Sequence, residues 1–237
     1  MTKSSKNNIG MGSAAEKRLR QLLANILLPA TRSFFKKAGL KTNDNLLSEI
    51  SKGWLIGQAN LTGKILELDE MTSKDLAPSD FQFCFGRFML SSVADPQNSL
   101  KEVFERLGPS GKILLEEWGQ GSLNSFPYSF AFNRFLELNK KWRNANGLQH
   151  IASWNNLLHQ AGFVKISIQH VPAVFLEGRN KQVASLTFES IIDGLVKAKL
   201  ADPMELHALL EELKSFEQKK HTLISLPGIY QIWASRP

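Results

Sequence analysis

Short apolar segments alternate with amphipathic helical segments along most of the chain, and this alternation constrains the fold more than any other feature. Strands are predicted over residues 45–50, 64–69, 81–86, 112–117, 163–170 and 228–233. Helices are predicted over residues 51–62, 98–107, 126–144, 152–161, 183–199 and 203–219. Because strands that alternate with helices pair in parallel, the pattern predicts an α/β sheet. Ligands of such sheets bind at the carboxyl ends of the strands.

The net charge is concentrated near the amino terminus. Of the net +7 carried by 237 residues, residues 1–41 contribute +8, from nine basic residues and one acid, which leaves the rest of the chain close to neutral. A neutral body argues against a nucleic-acid partner, since nucleic-acid-binding domains present a basic surface. The single cysteine, Cys84, excludes an intramolecular disulfide and a multi-cysteine zinc site, and we expect no metal. With no apolar run of about 18 residues, we expect a cytoplasmic protein without a membrane partner.

The amino-terminal segment divides into a tail and two helices. Residues 1–13 are predicted to be a disordered tail, and residues 14–39 to form two cap helices. Pro29 breaks or kinks the first helix, Thr31 caps the second, and Gly39 ends it. The basic, amphipathic first helix either lies on a membrane or a partner, or packs on its own domain, and packing is the favoured alternative.

The remaining residues give no sign of a second domain. We predict a single domain over residues 14–237, in which residues 174–219 form a helical insertion before the last strand.

Several segments carry a family resemblance. They are residues 81–96, residues 100–117, the sequence LLHQAGF at 157–163 and the sequence LPGIYQIW at 226–233. Together they resemble class I S-adenosylmethionine-dependent methyltransferases of the small-molecule branch. The resemblance implies a Rossmann-like sheet, mostly parallel with an antiparallel last strand, and helices on both faces.

The resemblance also implies where the cofactor would bind. The family holds S-adenosylmethionine with a glycine-rich loop after strand one, which corresponds here to residues 49–55. Glu49 holds the acidic position, Ser51 replaces the first glycine, Gly53 is the one glycine left, and Trp54 follows it. Arg87 lies at the carboxyl end of strand four. The missing glycines argue against cofactor binding, because the backbone must approach the cofactor closely.

The chain is shorter than the family pattern. Only eleven residues, 70–80, separate Asp69 from Phe81, whereas a βαβ unit takes about 30 residues. The fold is therefore expected to lack about one βαβ unit, so that either strand two or strand three is missing. In the favoured register, residues 65–69 are strand two, and Asp69 is the acid that binds the ribose hydroxyls. In the other register, Asp69 lies nearer the adenine.

Three residues are candidates for catalysis. Glu116 and Glu117 end strand five at the ligand edge, where a carboxylate can act as a base for a substrate hydroxyl or amine. The alternative is that one faces solvent and the other caps a loop amide. His150 lies where this branch often lines the substrate pocket, and its alternative is an ordinary surface histidine. The aromatic segment 126–142 either floors an apolar pocket or packs on the sheet.

Three functions stay open on the sequence alone. The favoured one is a non-catalytic partner of an active methyltransferase. We expect a homo- or hetero-oligomer, and an intact paralogue is the candidate partner in the second case. The second is an active S-adenosylmethionine-dependent methyltransferase that acts on a small apolar acceptor. The third, least favoured, is a nucleic-acid or membrane module that uses the basic amino-terminal helix.

Overall fold

A computed structural model describes residues 13–48, 52–67, 81–93, 95–119, 123–148, 154–172 and 174–237. The predicted tail therefore lies almost entirely outside the described residues. The chain forms two compact units. We call residues 28–121, 147–173 and 227–237 the sheet unit, and residues 1–27, 122–146 and 174–226 the helical unit.

The sheet unit contains a six-stranded sheet. Its strands are β1 (Leu46–Ser48), β2 (Ile65–Glu67), β3 (Phe81–Arg87), β4 (Leu107–Trp118), β6 (Val164–Val171) and β9 (Ile229–Ser235), in the order β2-β1-β3-β4-β9-β6. The first four strands in this order are parallel, and β9 is antiparallel to both β4 and β6. The predicted α/β sheet, mostly parallel with an antiparallel last strand, is confirmed.

The register of the short second strand follows from its pairing. β2 pairs directly with β1, which is the place of strand two in the favoured register. No described strand lies beyond β2, while residues 68–80, on which the length argument rests, are outside the described residues. Residues 108–111 lie near the start of β4, where its register with β3 shifts.

Helices cover both faces of the sheet, because alternate side chains of each strand point to opposite sides. On one face, helices α3 (Pro96–Arg106) and α5 (Trp154–Gln160) bury Leu100 and Leu158 in one core with strand residues that include Ile113 and Ile232. A third helix, α2 (Lys52–Ala59), follows β1. The other face is covered by the carboxyl-terminal half of helix α1 (Ala14–Ala38).

Aromatic side chains fix this half of α1 to the sheet. The Phe35 ring meets Phe85 edge-on at 4.8 Å between centroids, and the Phe34 ring lies 5.8 Å from Trp233. Both phenylalanines of α1 are buried. This burial offsets the backbone hydrogen bond that a proline removes from a helix.

α1 is one helix, so the predicted second helix capped by Thr31 is wrong. Pro29 lies inside the helix, and the Thr31 hydroxyl bonds to a strand residue instead of a helix terminus. The predicted end at Gly39 is confirmed: Gly39 has a φ of +82°, and the Leu40 N–H donates to Phe35 O at 3.0 Å, the pattern of a glycine C-cap.

Among the described residues, the helical unit holds the amino-terminal part of α1, three complete helices and a small sheet. The helices are α4 (Phe130–Ala145), α6 (Val183–Lys197) and α7 (Pro203–Gln218), close to the predicted ranges. The strands, which the sequence did not predict, are β5 (Asn124–Phe126), β7 (Val174–Leu176) and β8 (Leu223–Leu226), in the order β5-β8-β7. The Phe135 and Phe188 rings pack edge-on at 5.6 Å between α4 and α6. None of the helices in the described ranges is both long and apolar enough to span a bilayer.

Candidate functional site

Four polar side chains lie side by side across the sheet, toward the carboxyl ends of β3 and β4. Arg87 of β3 pairs with Glu116 of β4, Glu116 with Gln231 of β9, and Gln231 with Gln169 of β6. We call these four residues the polar row. All four point to the face that α1 covers, because Phe85 and Trp233, each two residues away along its strand, contact α1 there.

Glu116 is the centre of the hydrogen bonds in the polar row. Its carboxylate accepts from Arg87 Nε, Gln231 Nε2 and the Thr31 hydroxyl of α1, each at 2.8 Å. The Thr31 oxygen in turn accepts from Arg87 Nη2 at 2.8 Å. Thr31 therefore links both members of the ion pair to α1.

The outer members of the row extend the same network. Gln231 also donates from Nε2 to Ala30 O at 3.1 Å, and its Oε1 accepts from Gln169 Nε2 at 2.5 Å. Lys37 Nζ donates to Gln169 Oε1 at 2.8 Å. Two successive turns of α1 are thus bonded to the row.

The ion pair is deeply buried. Glu116 is 1% exposed and Arg87 is 6% exposed, and such a pair is tolerated only when hydrogen bonds satisfy its remaining polar atoms. Thr31 and Gln231, which are also buried, provide those bonds. With three donors on its carboxylate, Glu116 is committed to the fold and does not face a substrate in this conformation.

The second predicted carboxylate has a different place. Glu117 is buried, and its Oε1 accepts from the Leu90 N–H at 2.8 Å, at the start of a short 3₁₀ turn after β3. Glu117 therefore has the non-catalytic place that the sequence left open for one of the two glutamates, in which the side chain caps a loop amide. The third catalytic candidate, His150, lies outside the described residues.

The predicted cofactor residues are only partly described. Glu49, Ser51 and Asp69 lie outside the described residues. Gly53 lies on an exposed face of α2, where a side chain in its place would meet no atom within 4 Å. Arg87 is bound in the polar row.

The start of α2 is occupied by the protein's own groups. The Lys52 N–H donates to the carboxylate of Glu67, at the end of β2, at 2.9 Å. A carboxylate stabilises a helix amino terminus, because the helix dipole is positive there. Trp54 is buried beside them, with the Arg87 guanidinium 5.6 Å from its ring centre.

We tested whether these residues suit S-adenosylmethionine, the cofactor that the fold implies. Gly53 forms no cradle that a side chain would fill, Glu67 takes the Lys52 amide, and Arg87 is held by Glu116. Among the described residues, Trp54 Nε1 is a buried donor with no hydrogen-bond partner, and a single donor does not make a cofactor site. Of the predicted cofactor residues the structure describes Gly53 and Arg87 alone, and these two do not form a cofactor site by themselves.

Sequence reasoning missed Thr31, Gln169 and Gln231: Thr31 is predicted to cap a helix, and both glutamines lie in predicted strands. It also missed Glu67, which caps α2 and does not join the polar row. A signal did exist for Gln231: it stands two residues from both Ile229 and Trp233, and therefore on the same face of its strand as these apolar side chains.

Aromatic side chains of the helical unit divide between core and surface. Phe132 and Phe135 of α4 are buried, whereas Tyr128 is 74% exposed and Phe130 is 65% exposed. The exposed rings form what we call the aromatic patch, which consists of Phe126, Tyr128, Phe130 and Phe175. The Phe126 and Phe175 rings lie 6.3 Å apart.

A cavity of about 390 Å³ opens beside Tyr128 and Phe130. Arg134 lies in it and donates to Glu205 at 2.7 Å and to Glu137 at 3.0 Å. These hydrogen bonds, that to Glu205 first, raise the pKa of Arg134. In the part of the chain that the structure describes, no group of three or more acidic, histidine or cysteine side chains could hold a metal ion.

Comparison with known proteins identifies the fold. No protein-family model matches the chain, and no curated protein matches its sequence. Among solved structures, an S-adenosylmethionine-dependent methyltransferase from Thermotoga maritima is similar, with a TM-score of 0.50 and 11% identity over 94% of this chain and 96% of that one. A Bacillus halodurans protein assigned as a methyltransferase is 15% identical over 86% of this chain and 97% of that one, with a TM-score of 0.48. The chain has the class I S-adenosylmethionine-dependent methyltransferase fold, as residues 81–117 predicted.

Proposed function

We propose that this chain is a methyltransferase-like protein without a working S-adenosylmethionine site, and that it acts as a non-catalytic partner subunit of an active methyltransferase. The observation that carries the proposal is the polar row. In parallel α/β sheets, ligands bind at the carboxyl ends of the strands. Here Arg87 and Glu116 stand near those ends, bonded to each other and to Thr31 of the protein's own helix α1.

The energetics of the polar row favour a fixed structure over a ligand site. For a ligand to reach Glu116, Thr31 and Gln231 would have to give up their hydrogen bonds to its carboxylate, and the buried Arg87 charge would lose its counter-ion. Leaving a buried charge unpaired costs about 3–5 kcal/mol. The contacts of a ligand would have to exceed that cost before any binding was measured.

The aromatic patch supports a role in binding a partner. Exposed rings of Tyr and Phe that stand close together are typical of protein interfaces, which are enriched in aromatic residues. An intact methyltransferase is the partner class that the shared fold favours, on the basis of fold analogy.

The first test is calorimetric titration of the full chain with S-adenosylmethionine and with its demethylated product. We expect no saturable binding of either compound. Micromolar binding of either one would contradict the proposal and favour an active methyltransferase.

The second test concerns the partner. The chain is co-expressed with methyltransferases encoded in the same genome, and complexes are measured by size-exclusion chromatography with light scattering. We expect a stable complex with one of them, and a higher methyltransferase activity than that enzyme has alone. A Tyr128→Ser/Phe130→Ser variant should weaken the complex. The matched control, Ile56→Ser/Ile168→Ser, removes two exposed apolar side chains of the sheet unit and should leave the complex intact.

A chain that forms no complex with any of these enzymes and raises no activity would contradict the partner role. Equal weakening by the two double variants would show that the aromatic patch is not the contact surface.

A further inference from the structure

A second cavity of the helical unit has a cationic lining. It encloses about 530 Å³ between the 3₁₀ turn Gly178–Gln182 and the segment that joins α7 to β8. Its cationic side chains are Arg179, Lys181, Lys219 and Lys220. Two carboxylates, Glu177 and Glu217, also line it, so that cations outnumber acids by two.

Lys181 is the unusual member of this lining, because it is only 1% exposed. Its Nζ donates to Thr222 Oγ1 at 2.5 Å and to Lys219 O at 2.9 Å. The second bond places the ammonium near the carboxyl end of α7, where the helix dipole favours a cation. Both acceptors are neutral oxygens, so these bonds hold the side chain in place without forming an ion pair.

Buried charges in proteins are normally paired with an opposite charge. Among the described residues, no carboxylate forms a salt bridge with Lys181. An ammonium group has three N–H donors, and the described acceptors of Lys181 take two of them. The ammonium also lies 5.8 Å from the centre of the Phe216 ring, and Lys181 lines the cavity together with the other three cations.

The nearest acid does not neutralise the cavity. The Glu217 carboxylate accepts from the Ser185 N–H at 3.2 Å, in the first turn of α6. Burial raises the pKa of Glu217, which means that its surroundings disfavour its negative charge. The cavity lining therefore carries more cationic than acidic side chains, and its one buried acid is bonded to a backbone N–H.

We propose that this cavity binds the phosphate group of a small molecule. A tetrahedral dianion accepts hydrogen bonds in several directions at once, and lysine ammonium groups serve as point charges for phosphate. Lys181 supplies a buried charge in the cavity lining, and Arg179 and Lys220 supply exposed charges. The volume lies within the range of about 300–1,000 Å³ of small-molecule sites, which leaves room for more than the phosphate. This ligand does not depend on the proposed partner role.

The test is calorimetric titration of the full chain, in a buffer free of phosphate, with inorganic phosphate and with glycerol 3-phosphate. We expect one saturable site per chain for each probe, with the ester binding at least as tightly as the free ion. If neither probe saturates the chain by about 10 mM, any binding is far weaker than that of a millimolar site, and the proposal is overturned. If inorganic phosphate binds but glycerol 3-phosphate does not, the assignment of the cavity to a phosphorylated small molecule is overturned.

Charge-matched variants separate a site from general attraction. The Arg179→Ala/Lys220→Ala variant removes two exposed rim cations and should weaken binding about tenfold or more, because each phosphate contact is charge-assisted. The control, Lys140→Ala/Lys141→Ala on the exposed face of α4, changes the net charge by the same amount and should leave the affinity within about twofold. Equal losses in both variants overturn the proposal. Both variants alter exposed side chains only, so the fold is expected to persist.

Discussion

Among the described residues, each of the two units buries one cation, and the contacts of these two cations differ. In the sheet unit, Arg87 lies 2.8 Å from the Glu116 carboxylate. In the helical unit, Lys181 is bonded to a backbone carbonyl and a hydroxyl. The charge of Arg87 is therefore compensated by a carboxylate, whereas Lys181 contacts two neutral oxygens and the Phe216 ring, and we propose an ion from outside as its counter-charge. A cation at the ligand edge of a sheet is thus not enough to identify a site, since its counter-ion decides what it can bind.

The largest effect is expected from breaking the compensated pair. The Glu116→Leu variant leaves the buried Arg87 charge without a counter-ion, and the free energy of unfolding should fall by about 3–5 kcal/mol. Urea unfolding measures the loss.

A double variant tests whether the loss comes from the charge. Arg87→Leu/Glu116→Leu removes both charges, and it should be more stable than Glu116→Leu alone, because no ion is left unpaired. If the losses of unfolding free energy in Arg87→Leu and Glu116→Leu simply add in the double variant, the ion pair is not the cause of the loss. The contrast between Arg87 and Lys181 then fails.

Removing the uncompensated cation should cost less. Lys181→Met loses hydrogen bonds to Lys219 O and Thr222 Oγ1 but leaves no opposite charge unpaired, so we expect a loss of about 2 kcal/mol. The control is Lys112→Met. Lys112 also donates to a carbonyl at the end of a helix, Ala38 O at 2.7 Å, but it is only half-buried and should cost about 1 kcal/mol or less.

A loss for Lys181→Met as large as that for Glu116→Leu would contradict the contrast. It would mean that a hidden counter-ion compensates Lys181.

A smaller effect is expected where α1 meets the polar row. Thr31→Val keeps the shape of the side chain but removes the hydroxyl between Arg87 and Glu116. The unfolding free energy should fall by about 1 kcal/mol. Thr187→Val is the matched control, because the Thr187 hydroxyl donates only to Val183 O within its own helix. Equal losses in the two variants would show that the network does not hold α1.

The elements of the sheet could be predicted because their signals are local. β3 and β4 are short apolar runs bounded by turn and helix signals, and the resemblance of residues 81–117 placed them in one fold. α7 begins at Pro203, the first residue of the helix predicted over 203–219, and the Asp202 carboxylate caps it by accepting from the Met204 N–H at 2.8 Å. Signals of this kind extend over only a few residues, so one segment of the sequence is enough to recognise them.

The polar row could not be predicted, because its bonds join distant parts of the chain. Thr31 and Glu116 are 85 positions apart, and Gln231 and Ala30 are 201 positions apart. Thr31 follows Pro29 closely enough to resemble a helix cap, and nothing local to it indicates a carboxylate on a later strand. The same limit applies to Lys181, whose burial depends on the end of a helix that begins more than twenty residues further along the chain.

The smallest effect concerns the acid beside Lys181. Burial raises the pKa of Glu217 above its ordinary value of about 4.5, although Ser185, Lys181 and Lys214 act in the opposite direction. Between the two values, the folded state binds more protons than the unfolded state, so stability falls as the pH rises through this interval. The contribution of Glu217 is fully present below pH 4.5 and is lost above its folded pKa. Glu217→Gln lacks this titration, so wild type should lose stability relative to the variant as the pH rises from 4 to 7. Urea midpoints of both proteins at each pH measure this difference. If the stability of wild type relative to Glu217→Gln stays constant or rises with pH, the attraction of Lys181 for the Glu217 carboxylate outweighs the effect of burial. Lys181 would then be compensated by a carboxylate, as Arg87 is.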